Sequence, residues 1–131
     1  MVASQRQPSS HRYDAFLFDL LTALLDSWSL WNAVAGDAEV GRRWRAEYLR
    51  ITYQTGAYRA YGDLVAEAAE AVGLPRHFAA HLDTRYGELQ PWPNVRRILN
   101  TIAAAGVPLG VVVPCVPRPV RDWLRPLLGL P

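Results

Sequence analysis

Phe16-Leu17-Phe18-Asp19-Leu20-Leu21-Thr22-Ala23-Leu24-Leu25-Asp26 is the stretch from which the rest of the chain is read. Residues 15–18 are short, apolar and aromatic, the composition of a buried strand. Asp19 stands at the carboxyl end of that strand, where open α/β sheets gather their ligands. A carboxylate there serves as a nucleophile or general base, or it caps the following turn. Residues 22–36 follow as a loop or short helix carrying Asp26, Trp28 and Trp31.

Beyond this loop the pattern becomes helical. Asp37 is a good N-cap for a helix over 38–54, with Val40, Trp44, Tyr48 and Ile51 at helical spacing. Asp63 is placed to cap a second helix over 64–72, closed by Gly73. Pro75 opens a third, to about residue 86. The prolines of Gln90-Pro91-Trp92-Pro93 argue for a rigid connection without regular structure. Asn94 then caps a helix with Val95, Ile98, Leu99 and Ile102 on one face, ending at Gly106. Residues 109–113 are a continuous apolar, β-branched run, expected to be a buried parallel strand. Pro114 and Pro117 break it, and 119–128 can form a last helix.

This order is an α/β arrangement, a βαβ frame with a helical insertion after its first strand. The expected organisation is a polar, disordered tail over 1–12, an α/β core over 13–36 and 90–131, and a helical lobe over 37–89. Only two strands are visible, too few for an independently stable sheet. A homo-oligomer, or a partner chain that completes the sheet, is therefore expected.

The 131 residues are half hydrophobic and include five Trp, with a net charge of +2, so a folded domain is expected. All basic residues are Arg, so no lysine is present for a Schiff base or a phosphate clamp. Cys115 is the one cysteine, which excludes a disulfide within the chain and favours a reducing compartment. Residues 1–12 lack the apolar core of a signal peptide, and the apolar run over 15–25 is broken by Asp19 and too short to span a bilayer. A cytoplasmic location with no membrane partner is expected.

Arg45 lies beside the aromatic stripe of the long helix. It suits bidentate capture of a carboxylate, or it packs its stem on Trp44 with its head in water. Arg42, Arg43 and Arg50 complete a basic cluster, but Glu39 and Glu47 interleave with it and the charges are spread around the helix. No nucleic-acid partner is expected. His77 and His81 are four apart with no third ligand on their face, which reads as a surface pair and not a metal site. Cys115 has no histidine near it in sequence and reads as a structural thiol. No glycine-rich phosphate loop or serine elbow is present, and no metal or cofactor is expected.

Three of these stretches, in order, resemble the haloacid dehalogenase (HAD) superfamily, and within it the 2-haloacid dehalogenase-like, type II branch. The opening stretch looks like the family's first motif, with Asp19 at the nucleophile. Trp44-Arg45-Ala46-Glu47-Tyr48-Leu49, followed by Thr52-Tyr53, is similar to the cap-helix signature whose Arg binds the substrate carboxylate. Leu89-Gln90-Pro91-Trp92-Pro93, its helix, and Gly106-Val107-Pro108-Leu109-Gly110-Val111-Val112-Val113 look like the return to the core and the second-motif strand. The resemblance implies a partial HAD-like Rossmannoid core with a few parallel strands and an inserted helical cap. It implies a metal-independent hydrolase that holds a small carboxylate, with Asp19 as nucleophile or acid/base and Arg45, Leu21, Trp44 and Tyr53 around the substrate.

The chain departs from the pattern in places. Thr22-Ala23 replaces Gly-Thr, so the first motif's hydroxyl is shifted or lost. Val113 and Pro114 replace the second motif's Ser/Thr and Asn. The family's lysine and distal acidic motif would lie beyond Pro131. Leu21 stands where a Mg²⁺-dependent phosphatase needs a second Asp, which disfavours phosphatase chemistry. A truncated, degenerate member with impaired turnover is the resulting expectation. Two rivals stay open. One is a lyase, isomerase or cyclase using Asp19 as base in a cleft of Trp28, Trp31, Trp44, Tyr53 and Trp92, although buried core is the default for such tryptophans. The other is a non-catalytic interaction protein or the product of a shortened gene.

Overall fold

The computed structural model describes residues 13–112. Strand β1 (Phe16–Asp19) pairs in parallel with β2 (Leu109–Val112), Phe16 opposite Leu109 and Asp19 opposite Val112. Between them run a wide five-residue turn (Leu20–Leu24) and helices α1 (Ser27–Ala35), α2 (Ala38–Gln54), α3 (Tyr61–Ala71) and α4 (Phe78–Thr84). A 3₁₀ turn (Tyr86–Glu88) and α5 (Val95–Ala104) lead back to the sheet. The molecule is thus mostly helical around a small parallel sheet, an α/β arrangement.

Local chemistry explains several helix ends. The Asp26 carboxylate accepts from the Ser29 N–H at 3.0 Å and the Ser29 hydroxyl at 2.6 Å, which starts α1. Gly36 ends α1 at φ 78°, a conformation that glycine adopts without penalty. Asp37 Oδ1 accepts from the N–H groups of Glu39 and Val40, both at 2.9 Å, and starts α2 where the sequence indicates. Asp37→Ala is expected to lower stability by about 1 kcal/mol, read as a shifted denaturation midpoint at unchanged m-value.

Other ends differ from expectation. Asp63 does not cap α3, because the helix begins two residues earlier at Tyr61 and its cap position, Ala60, makes no side-chain bond. Packing sets this start: the Tyr61 ring lies edge-on to Tyr48 at 5.4 Å and 6.1 Å from Tyr86. Asn94 precedes α5 at φ 70°, which asparagine tolerates, but makes no capping bond. The helix expected from Pro75 onward is shorter, starting at Phe78 and giving way to the 3₁₀ turn. Residues 90–92 are more ordered than their prolines imply. Leu25 and Pro91 form an antiparallel bridge, and Trp92 N–H donates to Leu24 C=O at 3.0 Å.

One apolar core runs from Leu20, Leu24 and Leu25 through the helices to Val95 and Leu99. Trp44 is fully buried at its centre, 4.7 Å from Trp31 and 6.4 Å from Phe78 by ring centroids. Its indole N–H donates to Val65 C=O at 3.0 Å, so its polar atom is satisfied inside the core. Helix α1, expected to belong with the sheet, packs mainly on α2 and also on α4. The α1–α2 crossing is close at Gly41, where a Cβ would lie 2.5 Å from the Asn32 Cα.

The strands are not buried as their composition suggests. Leu17 is 72 % exposed and Val112 52 % exposed. Among the described residues the two strands pair only with each other. An apolar, β-branched run records a preference for burial, but its neighbours decide whether burial occurs. The end of the second strand, Cys115 and the last expected helix lie outside the described residues. No helix among the described residues is long and apolar enough to cross a membrane.

Candidate functional site

Asp19 ends β1 in extended conformation, and the next five residues coil into the wide turn. Leu20 and Leu24 anchor that turn in the core, and Leu25 N–H donates back to Leu20 C=O at 3.0 Å. The turn is also clamped from far along the chain. Asp26 N–H donates to Gln90 C=O at 2.8 Å, and the Trp92 indole N–H donates to Thr22 C=O at 2.8 Å. This rigid turn aims the Thr22 N–H at Asp19 Oδ2, 3.0 Å away. The Asp19 carboxylate is exposed and held by a turn amide, so it caps the turn and stays open to solvent.

The other charge of the site comes from α2. Arg45 is only 6 % exposed. Its Nη2 donates to Thr22 Oγ1 at 2.6 Å, its Nη1 donates to Ser27 Oγ, and its guanidinium carbon sits 4.4 Å from the Trp28 ring centroid. Ser27 in turn donates its hydroxyl proton to Leu21 C=O. Among the described residues no carboxylate forms an ion pair with Arg45. Burial pulls the Arg45 pKa below the ordinary arginine value, while nearby Tyr86, Asp19, Tyr48 and Asp26 pull it up. It stays a cation at any physiological pH. Tyr86 is held well above the usual tyrosine range, first by burial and then by Tyr48, with Arg45 opposing. Its hydroxyl shares a hydrogen bond with Tyr61.

Thr22 therefore joins Asp19 and Arg45, the two residues singled out as nucleophile and carboxylate anchor. Its amide holds one and its hydroxyl receives the other. The threonine hydroxyl expected to be shifted or lost from the first motif faces the guanidinium. Leu21 enters the site through its carbonyl. Trp44 is not in contact with solvent and supports the core beneath Arg45, so the structure does not offer it as a ligand surface. Tyr53 is 83 % exposed near the end of α2. Eight residues beyond Arg45, it lies about 12 Å further along the helix and is not brought to the site. Trp31 belongs to the core, and Trp28 lies with its ring against the Arg45 guanidinium.

Sequence reasoning did not find Ser27. No local signal marks it, since its role depends on an arginine 18 residues away. A pocket of about 200 Å³ lies beside the start of α1, lined by Asp26, Ser29, Leu30, Glu88 and Gln90, and includes none of the expected site residues. His77 and His81 stack edge-on at 5.0 Å. No cluster of three or more His, Cys, Asp or Glu able to hold a metal exists among the described residues.

No family model matches the chain, and no curated protein sequence matches it. Solved structures do. The structure of L-2-haloacid dehalogenase from Xanthobacter autotrophicus with chloropropionic acid covalently bound superposes with a TM-score of 0.69 at 21 % identity. A second structure of L-2-haloacid dehalogenase from that organism gives 0.68 at 23 % identity. Each match covers 89 % of this chain and 52 % of the other, so the chain spans about half the length of the structures it matches. The fold is thus similar to that of the L-2-haloacid dehalogenase structures.

Proposed function

We propose that this chain binds a small 2-halocarboxylate at Arg45 and presents it to Asp19 for displacement of the halide. The observation that carries this reading is the buried Arg45 guanidinium, held by two neutral hydroxyls and an indole face, whose partner Thr22 also holds Asp19. A buried cation without a bonded carboxylate attracts an anion, and a carboxylate pairs with a guanidinium through short, charge-assisted bonds. With the substrate carboxylate anchored there, the reading requires the neighbouring carbon to lie within reach of Asp19, which Thr22 links to Arg45.

Asp19 Oδ2 is tied to the Thr22 amide, which leaves Oδ1 to attack. In the first step Oδ1 forms a bond to C2, the carbon–halogen bond breaks, and halide leaves with its electron pair. The product is an ester of Asp19. In the second step water adds to the ester carbonyl carbon, Cγ, and the Cγ–Oδ1 bond breaks. Oδ1 takes one water proton and leaves as the hydroxyl of a 2-hydroxy acid, the other proton goes to solvent, and the Asp19 carboxylate returns with an oxygen from water. The reading needs no metal at Leu21, whose contribution is a carbonyl accepting from Ser27. The covalently bound chloropropionic acid of the similar structure supports this chemistry on this fold.

Intact-protein mass spectrometry after incubation with 2-chloropropionate, with free halide measured in the same tube, tests the proposal. Either one adduct per chain that is absent from Asp19→Asn, or halide in excess over protein that Asp19→Asn abolishes, is the expected result. A folded wild-type sample that gives neither adduct nor halide overturns it.

A further inference from the structure

We propose that Ser27 is the positioning residue of the anion site, a fixed acceptor that aims the Arg45 guanidinium. The inference rests on the reading of Arg45 as the anion-binding group. Ser27 is only 1 % exposed, so water does not compete for its hydroxyl. That hydroxyl has one proton, and the proton is committed to Leu21 C=O. What Ser27 turns toward Arg45 is therefore a lone pair, and Nη1 donates to it. The Leu21 carbonyl belongs to the turn that follows Asp19, so the orientation of the guanidinium is referenced to the nucleophile's own loop.

Thr22 is not equivalent. Its residue is exposed, and its hydroxyl proton has no acceptor among the described residues, so its bond to Nη2 can exchange with water or a ligand. The Trp28 face lies 4.4 Å from the guanidinium carbon but gives neither Nη a hydrogen-bond acceptor, so it does not itself fix the rotation about Nε–Cζ that exchanges Nη1 with Nη2. Ser27 removes that rotation. A bidentate carboxylate requires the fork in one orientation, so losing this acceptor weakens binding even though the charge remains.

Nitrogen-15 spectra of the arginine side chains in the full chain, with Arg45 identified by its loss in Arg45→Gln, read the orientation directly. The wild type is expected to show resolved Nη1 and Nη2 signals for Arg45. In Ser27→Ala they are expected to merge through fast rotation about Nε–Cζ, while Kd for 2-chloropropionate rises roughly ten- to a hundredfold, the loss of one hydrogen bond to a charged group. Ser27→Cys, close in size with a poor acceptor, gives the same reading should the alanine variant fold badly. Resolved Nη signals that persist in a folded Ser27 variant overturn the positioning role, whatever the ligand does. Equal binding by wild type and Arg45→Gln sinks the anion-site reading instead, and the Nη signals still decide the role of Ser27.

Discussion

Arg45→Met is expected to abolish carboxylate binding and yet leave the fold as stable as the parent or more so. The two effects share one cause. Arg45 is buried, its charge is desolvated, and the groups that meet it are neutral. Hydroxyl acceptors and an indole face offset only part of a desolvation penalty of several kcal/mol. Methionine fills a similar volume with a flexible apolar chain. After the exchange Ser27 keeps its bond to Leu21 C=O, and the exposed Thr22 regains water, so no buried donor is orphaned. A gain on the order of 1–3 kcal/mol follows, a few degrees or more in Tm. Binding of 2-chloropropionate should weaken by at least about a hundredfold, because the charge-assisted pair is gone. Thermal melts and titration calorimetry on the same samples check both halves. A marked fall in Tm would show that Arg45 is a structural strut between α2 and the Asp19 turn, and the anion-site reading would lose its main support.

Local signals in the sequence disclose the ends of this site, and long-range packing assembles its middle. Asp37 and the helix it starts are legible because a cap is a matter of three consecutive residues. Asp19 at a strand end is legible for the same reason. Asp63 misleads because rings from distant segments, Tyr48 and Tyr86, draw the start of α3 back to Tyr61. The burial of Arg45 is not legible either. On a helical wheel it lies beside the apolar stripe, where a solvated head is the ordinary outcome, and Thr22 from the turn with Ser27 and Trp28 from α1 close over it. The apolar strands mislead in the opposite sense. Val111 and Val112 have the composition of buried sheet, but composition does not say whether neighbours are present to cover it.

The close crossing of the first two helices makes Gly41→Ala the most crowded Cβ addition among the glycines of the described residues. A Cβ at Gly41 would meet Asn32 Oδ1 at 2.4 Å, its Cα at 2.5 Å and its N at 2.8 Å. A flexible side chain can swing away from such a contact, but a backbone cannot, so α1 has to lift off α2. Overpacking of this kind costs about 3 kcal/mol, which for a domain of this size is a fall in Tm on the order of 10 °C. The gain in helix propensity of about 1 kcal/mol offsets only a fraction. Asn32 Oδ1 is already buried without a partner, so a compensating Asn32→Ala would remove an unsatisfied acceptor as well as the side-chain contact. Stability should nevertheless stay well below the parent in the double variant, because the Asn32 backbone atoms still stand in the way. Full recovery of Tm would instead show that only the side chain obstructs and that the helices can adjust. The site should register the displacement too. Gly41 and Arg45 are one turn apart on α2 and both buried, while Ser27 rides on α1. Moving α1 outward draws Ser27 and Trp28 away from the guanidinium, so 2-chloropropionate binding should weaken in Gly41→Ala under conditions where the variant is still folded. On the anion-site reading, the lack of a side chain at Gly41 then matters to binding as Arg45, one turn later, does.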